Sequence, residues 1–503
     1  MYWDMQDVPP EDIDRIEVIS GPGATLWGAN AVNGVINIIT RKSSDTQGGV
    51  IDVGAGNLEQ SVSLQFGGRI APDLTWRIYA KTFSDSDTVT AAGAPAHDNW
   101  SKPQGGFRLD WDPGSSDTVT LQGDTYRGYE AQDGAPDEDI SGSDVLARWN
   151  HSWQGGASLQ VQAYWDRAER STRDAEGGLR LDTWDLDVQD NFALGARDSV
   201  VMGGGFRLDR YAITNTPSLL FEPPRGNLDL SNLFVQDSFA LTRSLTLIAG
   251  LKLENDPYSG ISPLPSLRLS WKAAGGTLLW AAVSRAIRSP TPFDTDVVEK
   301  IGRIIYLTGT PDFQPETLTA YEVGVRAQPT PRLSFSVSAY YNVYDDLRSV
   351  ETAPVGFIPF RWGNMIEGDT FGLEAWGDYR LARWWRLTAS FDFLKEQLKF
   401  KPGASRLLPV IQEGDDPKHQ ASLRSSMDLG RNFTLDADLR YVDALPDPSV
   451  PAYVELDSRI AWNVSRRVQL SLSGFNLLHA RHLEFPGADA VPRSAFAEVR
   501  LRF

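Results

Sequence analysis

Cysteine is absent from the 503 residues, and histidine and methionine occur five times each. Without thiols there are no disulfides and no thiolate metal ligands, a composition that suits an oxidising compartment without deciding it. His97, His151 and His419 are scattered, and His479 and His482 stand at i, i+3 with no third ligand nearby, so no metal site is expected. Long apolar runs are also missing. No stretch reaches the roughly 18 residues that a membrane-crossing helix needs, and helix-period segments are scarce. Basic residues are outnumbered, 48 Lys+Arg against 66 Asp+Glu, giving a net charge of −18. Nucleic acid is thereby excluded as a partner, since phosphate binding needs a basic surface. No nucleophile, base and orienting group stand in a catalytic pattern; neither an enzyme nor a cofactor is expected.

What the chain has in abundance is alternation. Leu74, Trp76, Ile78 and Ala80 alternate with Thr75, Arg77, Tyr79 and Lys81. Leu333 to Val343 and Phe433 to Tyr441 repeat the pattern, as does the C-terminal run Ala495 to Phe503. Side chains alternate faces along a strand, so each segment has one apolar and one strongly polar face. Twenty-two such strands are expected, with starts near 49, 60, 74, 104, 117, 144, 157, 179, 198, 227, 245, 263, 276, 317, 332, 368, 384, 417, 432, 453, 468 and 493. Ten residues at about 3.3 Å each, tilted by about 45°, rise roughly 23 Å, close to the apolar band of a transmembrane barrel. Connections alternate too: short ones such as 70–73, 112–116, 154–157, 195–198, 329–332 and 464–467 interleave with long ones such as 84–103, 127–143, 285–316, 347–367 and 478–491. Short turns on one side and long loops on the other are the arrangement of a membrane barrel. Trp111, Trp149, Trp153, Trp271, Trp384, Trp385 and Trp462 fall near strand ends, where girdle aromatics belong. The fold class expected is all-β, a 22-stranded antiparallel transmembrane β-barrel over residues 49–503.

Residues 1–48 read differently. Two β-prone runs, Ile16 to Ile19 and Val35 to Ile39, flank Gly21, Pro22, Gly23, Trp27, Gly28, Asn30, Asn33 and Gly34. These residue types suit tight turns and positive φ, and the segment has too little apolar surface to stand without a surrounding wall. Gly21-Pro22-Gly23 lacks the Lys-Ser/Thr of a phosphate loop, so turn geometry is the better reading.

The order Ile16-Glu17-Val18-Ile19-Ser20-Gly21-Pro22-Gly23-Ala24-Thr25-Leu26-Trp27-Gly28-Ala29-Asn30-Ala31-Val32-Asn33-Gly34-Val35-Ile36-Asn37-Ile38-Ile39 closely resembles the end of the plug domain of TonB-dependent outer-membrane receptors. Phe313 to Val325, Gly372-Leu373-Glu374-Ala375 and Asn476-Leu477-Leu478 are similar to barrel motifs of that family, and the terminal aromatic to its assembly signal. The resemblance implies that residues 1–48 are the C-terminal remnant of a plug domain. It also implies that the export signal and the segment meeting the TonB energy-coupling protein are missing from the chain. It further implies a plug–barrel lock among Arg15, Glu17, Glu322 and Glu374, weakened because Ser20 stands where the family usually has arginine. The implied function is uptake of a scarce ligand, a ferric siderophore first and cobalamin as the alternative, by a monomer surrounded by outer-membrane lipids. Arg285, Arg288, Arg303 and Tyr306 on the long loop 285–316 are the expected ligand contacts. A passive porin-like barrel is the rival reading, because 48 residues do not fill so wide a lumen. Calcium in the acidic run Asp133, Asp137, Glu138 and Asp139 is weighed against simple loop charge, and loop charge is preferred.

Overall fold

The structure, a computed structural model, describes residues 3–5, 7–353, 356–410 and 412–503. Among these residues, 22 strands close into one antiparallel barrel. Its first strand, Gly48–Gly56, pairs with its last, Ser494–Arg502, so no edge is left open. Closure satisfies every ladder hydrogen bond, which is what permits strands to stand in lipid. At the seam, ring follows glycine: a Cβ on Gly54 would lie 2.0 Å from the Phe496 ring.

Strands run from 8 residues (Val468–Phe475) to 23 (Phe360–Ala382). Several begin earlier than alternation predicts, at Trp100, Glu138 and Phe360. These extensions lie at the long-loop end, where outward positions such as Asp139, Ser141 and Ser143 are polar and the apolar rhythm fades although pairing continues. The expected tryptophans gather at the short-turn end and are exposed on the outer face, Trp111, Trp149, Trp153, Trp271, Trp384 and Trp462 among them. Trp384 stacks on Trp385, and Trp462 on Phe433. The indole N–H groups of Trp111 and Trp149 donate to Asp73 and Asp117 at the turns.

Inside the barrel stands a two-stranded hairpin, β1 (Ile13–Ser20) and β2 (Gly34–Thr40), in antiparallel register with Ile16 opposite Ile38 and Val18 opposite Ile36. A single helical turn, α1 (Ala24–Trp27), caps it. Gly21 and Gly28 adopt positive φ, as the turn chemistry anticipates.

Candidate functional site: the lumen hairpin and the mouth above it

The hairpin is fastened at both ends. Near the short-turn end, Asp12 forms a 2.9 Å ion pair with Arg77, their side chains only 3% and 4% exposed. Gln65 donates to the same carboxylate, and Arg77 also donates to the Arg41 carbonyl at 3.0 Å. Burial pushes the Asp12 carboxyl up, against the pull of Arg77. Ser43 donates twice to Asp110, from N–H and hydroxyl, both at 2.7 Å, and Arg108 donates to Thr40 at 2.8 Å. Glu11 sits against Asp52 and Arg500; burial and the neighbouring carboxylate outweigh the arginine and raise its pKa to about 7.

The tip reaches the long-loop half of the wall. The Ala29 N–H donates to both Glu254 oxygens at 3.1 Å, and the Asn30 N–H donates to the Ile287 carbonyl at 2.8 Å. The Ser289 N–H donates to Asn30 Oδ1, and Thr25 Oγ1 donates to the Leu264 carbonyl. Ala24 packs with Leu264, Ala286 and Ile287 in a small apolar cluster. A Cβ on Gly28 would lie 2.6 Å from Glu254 Oε2, so only glycine admits this approach. The remaining plug-motif residues share the tip: the Gly23 N–H donates to the Ala31 carbonyl, the Trp27 N–H to the Gly23 carbonyl, and Tyr344 OH reaches Asn33 Oδ1 at 3.4 Å.

The expected lock is rebuilt rather than reproduced. Arg15 does not reach Glu322 or Glu374; it donates to Glu17 at 2.8 Å and Asp14 at 2.9 Å, and all three side chains are largely exposed. β1 pairs only with β2, so its polar side chains find partners locally, and Arg15 faces open lumen. Glu322 instead lies against Gly21, whose added Cβ would meet Glu322 Oε1 at 2.5 Å. Among the described residues, Glu374 makes no hydrogen bond or ion pair with the hairpin. Of the anchors, Asn30 belongs to the expected plug motif, whereas Asp12, Ser43 and Ala29 were not singled out from sequence; a single acidic residue ahead of a β run carries no signal of its buried partner.

The loop after Thr277–Arg288 is not an open presentation surface. It holds α2 (Pro292–Thr295) and a short hairpin, Val297–Ile301 with Ile304–Thr308. Arg288 is pinned by Asp294 at 2.9 Å and Glu316 at 2.8 Å, over the buried Phe313 ring. Burial opposes the Asp294 carboxylate, but Arg288 and the Thr291 N–H and hydroxyl outweigh it and hold its pKa below the usual range. Arg285 pairs opposite Thr319, on the outward face with Val283 and Tyr321, so it cannot line the lumen. Arg303 is exposed in a turn, and Tyr306 packs edge-on against Phe360. Arg348, unremarked in the sequence, lies 4.7 Å over Trp362 and 5.8 Å from Phe293 while pairing with Asp294 at 3.2 Å. Phe221 extends this aromatic cluster.

The acidic run also separates. Glu138 opens a strand, so alternation sends Glu138 inward to Arg170 and Asp139 outward to Arg173, while Asp137 accepts from Tyr129. Asp133 lines a separate pocket at the mouth. His482 parts from His479 and joins Glu455 and Glu484, but Arg440 pairs with both carboxylates and already supplies the positive charge. Beside the hairpin a lumen cavity of about 1160 Å³ stays open, lined by Arg15, Trp27, Asn37, Arg108, Gln162 and Arg207 among others.

A family model described as TonB dependent receptor-like, beta-barrel matches residues 47–477, and one described as TonB-dependent Receptor Plug Domain matches residues 1–35. The chain is 24% identical over 522 residues to the iron-regulated outer membrane virulence protein of Vibrio cholerae, covering 93% of this chain and 76% of that one. It is 23% identical over 459 residues to the ferrienterobactin receptor of Escherichia coli, covering 73% and 61%. The crystal structure of the siderophore receptor PirA from Acinetobacter baumannii superposes with a TM-score of 0.83 at 16% identity, covering 99% of this chain and 86% of that one. With the barrel model spanning most of its length, the chain belongs to the TonB-dependent receptors of the bacterial outer membrane.

Proposed function

We propose that this chain takes up a ferric siderophore, bound between the extracellular loops and the tip of the lumen hairpin. The observation that carries this reading is the hairpin tip, held by Glu254, Ile287 and Ser289 beneath a mouth where Arg348 lies over Trp362 and Phe293. Cations over aromatic rings suit a large, flat, anionic chelate. Relatives named for ferric enterobactin support the ligand class; those named for vitamin B12 keep cobalamin as the alternative. In this reading residues 1–48 serve as the gate and 49–503 as the wall, and in the full-length receptor the TonB protein supplies the pull in the periplasm. The protein acts as a monomer, and no covalent chemistry is invoked. Uptake of iron-labelled enterobactin by cells that express the full-length gene carrying this sequence as their only such receptor is the test. Uptake above the empty-vector background is expected, falling about tenfold or more in Arg348→Ala, in line with loss of a charged contact; background-level uptake refutes the reading.

A second reading, passive conduction, is favoured by one observation, the open cavity beside the hairpin. Current across a planar bilayer separates the two. Steady open currents without ligand support the porin-like reading, and silence supports a gated one.

A further inference from the structure

Near the long-loop end of the wall, one cluster has chemistry that neither the hairpin tip nor the aromatic mouth uses. It joins three elements. Strand Phe433–Val442 supplies Arg440, and strand Tyr453–Asn463 supplies Tyr453 and Glu455, with Glu455 directly opposite Arg440 in the register. The loop that follows Val468–Phe475 supplies His482 and Glu484. That loop is braced at its base. Asn476 is fully buried and donates from Nδ2 to the Val491 carbonyl at 2.9 Å, and Arg481–His482 pairs with Val491–Pro492. Two residues far along the chain are thereby held against one inward position of the wall.

Glu455, His482 and Glu484 each offer a ligand atom, and the three atoms lie within 4.8 Å of one another. An imidazole nitrogen with two carboxylate oxygens is a donor set for divalent transition ions, whereas Ca²⁺ and Mg²⁺ take oxygen alone. Ligands at about 2.0–2.2 Å from a tetrahedral ion stand about 3.4 Å apart, so side-chain rotation closes the set. Arg440 bridges the two carboxylates, donating to Glu455 at 3.0 Å and to Glu484 at 2.6 Å. Its single charge leaves the pair one negative charge short of neutral, and a dication makes up the difference. The Arg440 side chain is 44% exposed and free to turn into the lumen.

The imidazole distinguishes an ion site from ion pairing alone. The His482 side chain is 6% exposed, its Nε2 lies 3.2 Å from Glu484 Oε1, and its Nδ1 has no hydrogen-bond partner among the described residues. Arginine–carboxylate pairing has no need of a ring there, and a buried polar nitrogen left unpaired costs free energy. The Tyr453 ring lies 4.3 Å from that of His482, and its hydroxyl donates to Glu484 at 3.0 Å. Outer-shell groups orient metal ligands in this way. We propose that Glu455, His482 and Glu484 bind a divalent transition-metal ion of the Zn²⁺ type, which displaces the Arg440 guanidinium and ties the last long loop to the wall. No proton is exchanged: the imidazole stays neutral, both carboxylates stay ionised, and water takes the fourth position. The site is built from the wall and one loop, and is independent of the hairpin and of the ligand taken up.

Competition for Zn²⁺ between a chromophoric chelator and the full chain, free of any affinity tag and held in detergent, tests it. The chain should take one ion from the chelator. His482→Gln should weaken binding about tenfold or more, whereas His479→Gln, at an exposed position of the same loop, should leave it unchanged. Arg440→Gln removes the competing cation and should tighten binding about fivefold. Cu²⁺ should displace Zn²⁺, and Ca²⁺ in large excess should not. Heat-modifiable migration in gels confirms that each variant is folded; should Arg440→Gln not fold, the two histidine variants decide. Unchanged affinity in His482→Gln, an equal loss in His479→Gln, no tightening in folded Arg440→Gln, or displacement of Zn²⁺ by Ca²⁺ overturns the proposal.

Discussion

Single residues set the strength with which the hairpin is held. Arg77 is almost fully enclosed, and Asp12 is the carboxylate that compensates it. Asp12→Asn removes the compensation and leaves a buried charge, a loss of about 3–5 kcal/mol. Amide exchange across β1 and β2 should accelerate by about a hundredfold or more, while exchange in the wall strands remains unchanged. Glu11 makes the same junction sensitive to pH in a defined direction. Its folded pKa, about 7, lies above the ordinary carboxylate value of 4.5, so its contribution to stability is complete below about pH 4.5 and is lost as pH rises through 7. Hairpin protection relative to the intrinsic exchange rate should therefore be greater at pH 5 than at pH 8, and Glu11→Gln should flatten the difference. Asp294 has the opposite sign: its depressed pKa contributes above the usual carboxylate range and fails only on acidification. Positive φ together with close approach calls for glycine at two points of the hairpin, Gly21 against Glu322 and Gly28 against Glu254.

At the scale of elements, the mouth owes its order to a four-residue helix. In α2 the Thr291 side chain and the Asp294 side chain cap each other's backbone, and Asp294 then receives Arg288 and Arg348. Thr291→Ala should cost about 1 kcal/mol, seen as about fivefold faster exchange at residues 294–296 and weaker siderophore binding, with no change in the hairpin. Strand identity was legible in the sequence because alternation is a local property. The starts expected at 74, 117, 198, 245, 453 and 468 coincide with those observed. The early starts at Glu138 and Phe360 were hidden, since above the membrane the outward side chains turn polar and only hydrogen bonding continues. Helix α2 inside a supposed open loop escaped for a related reason: four residues are too few to show a period.

For the molecule as a whole, the seam between Gly48–Gly56 and Ser494–Arg502 decides whether there is a barrel. Gly54→Val places branched carbons into the Phe496 ring, and overpacking of this kind costs about 1–3 kcal/mol. The fraction of protein that migrates as the compact, heat-modifiable species should fall, and Gly54→Val combined with Phe496→Ala should restore part of it. The sequence by itself determined the number of strands, the inward and outward faces, the side carrying the long loops and the turn-rich hairpin, because each rests on residues near one another in the chain. Only the tertiary structure decided the partners across the lumen: Asp12 with Arg77, Ser43 with Asp110, Ala29 with Glu254, and Arg15 with its own neighbours rather than the wall. It also decided that Arg285 points outward from the barrel rather than into the lumen. Pairs of this kind are made when the barrel closes and the hairpin settles at one height and one rotation, and neither is encoded in any local run of residues.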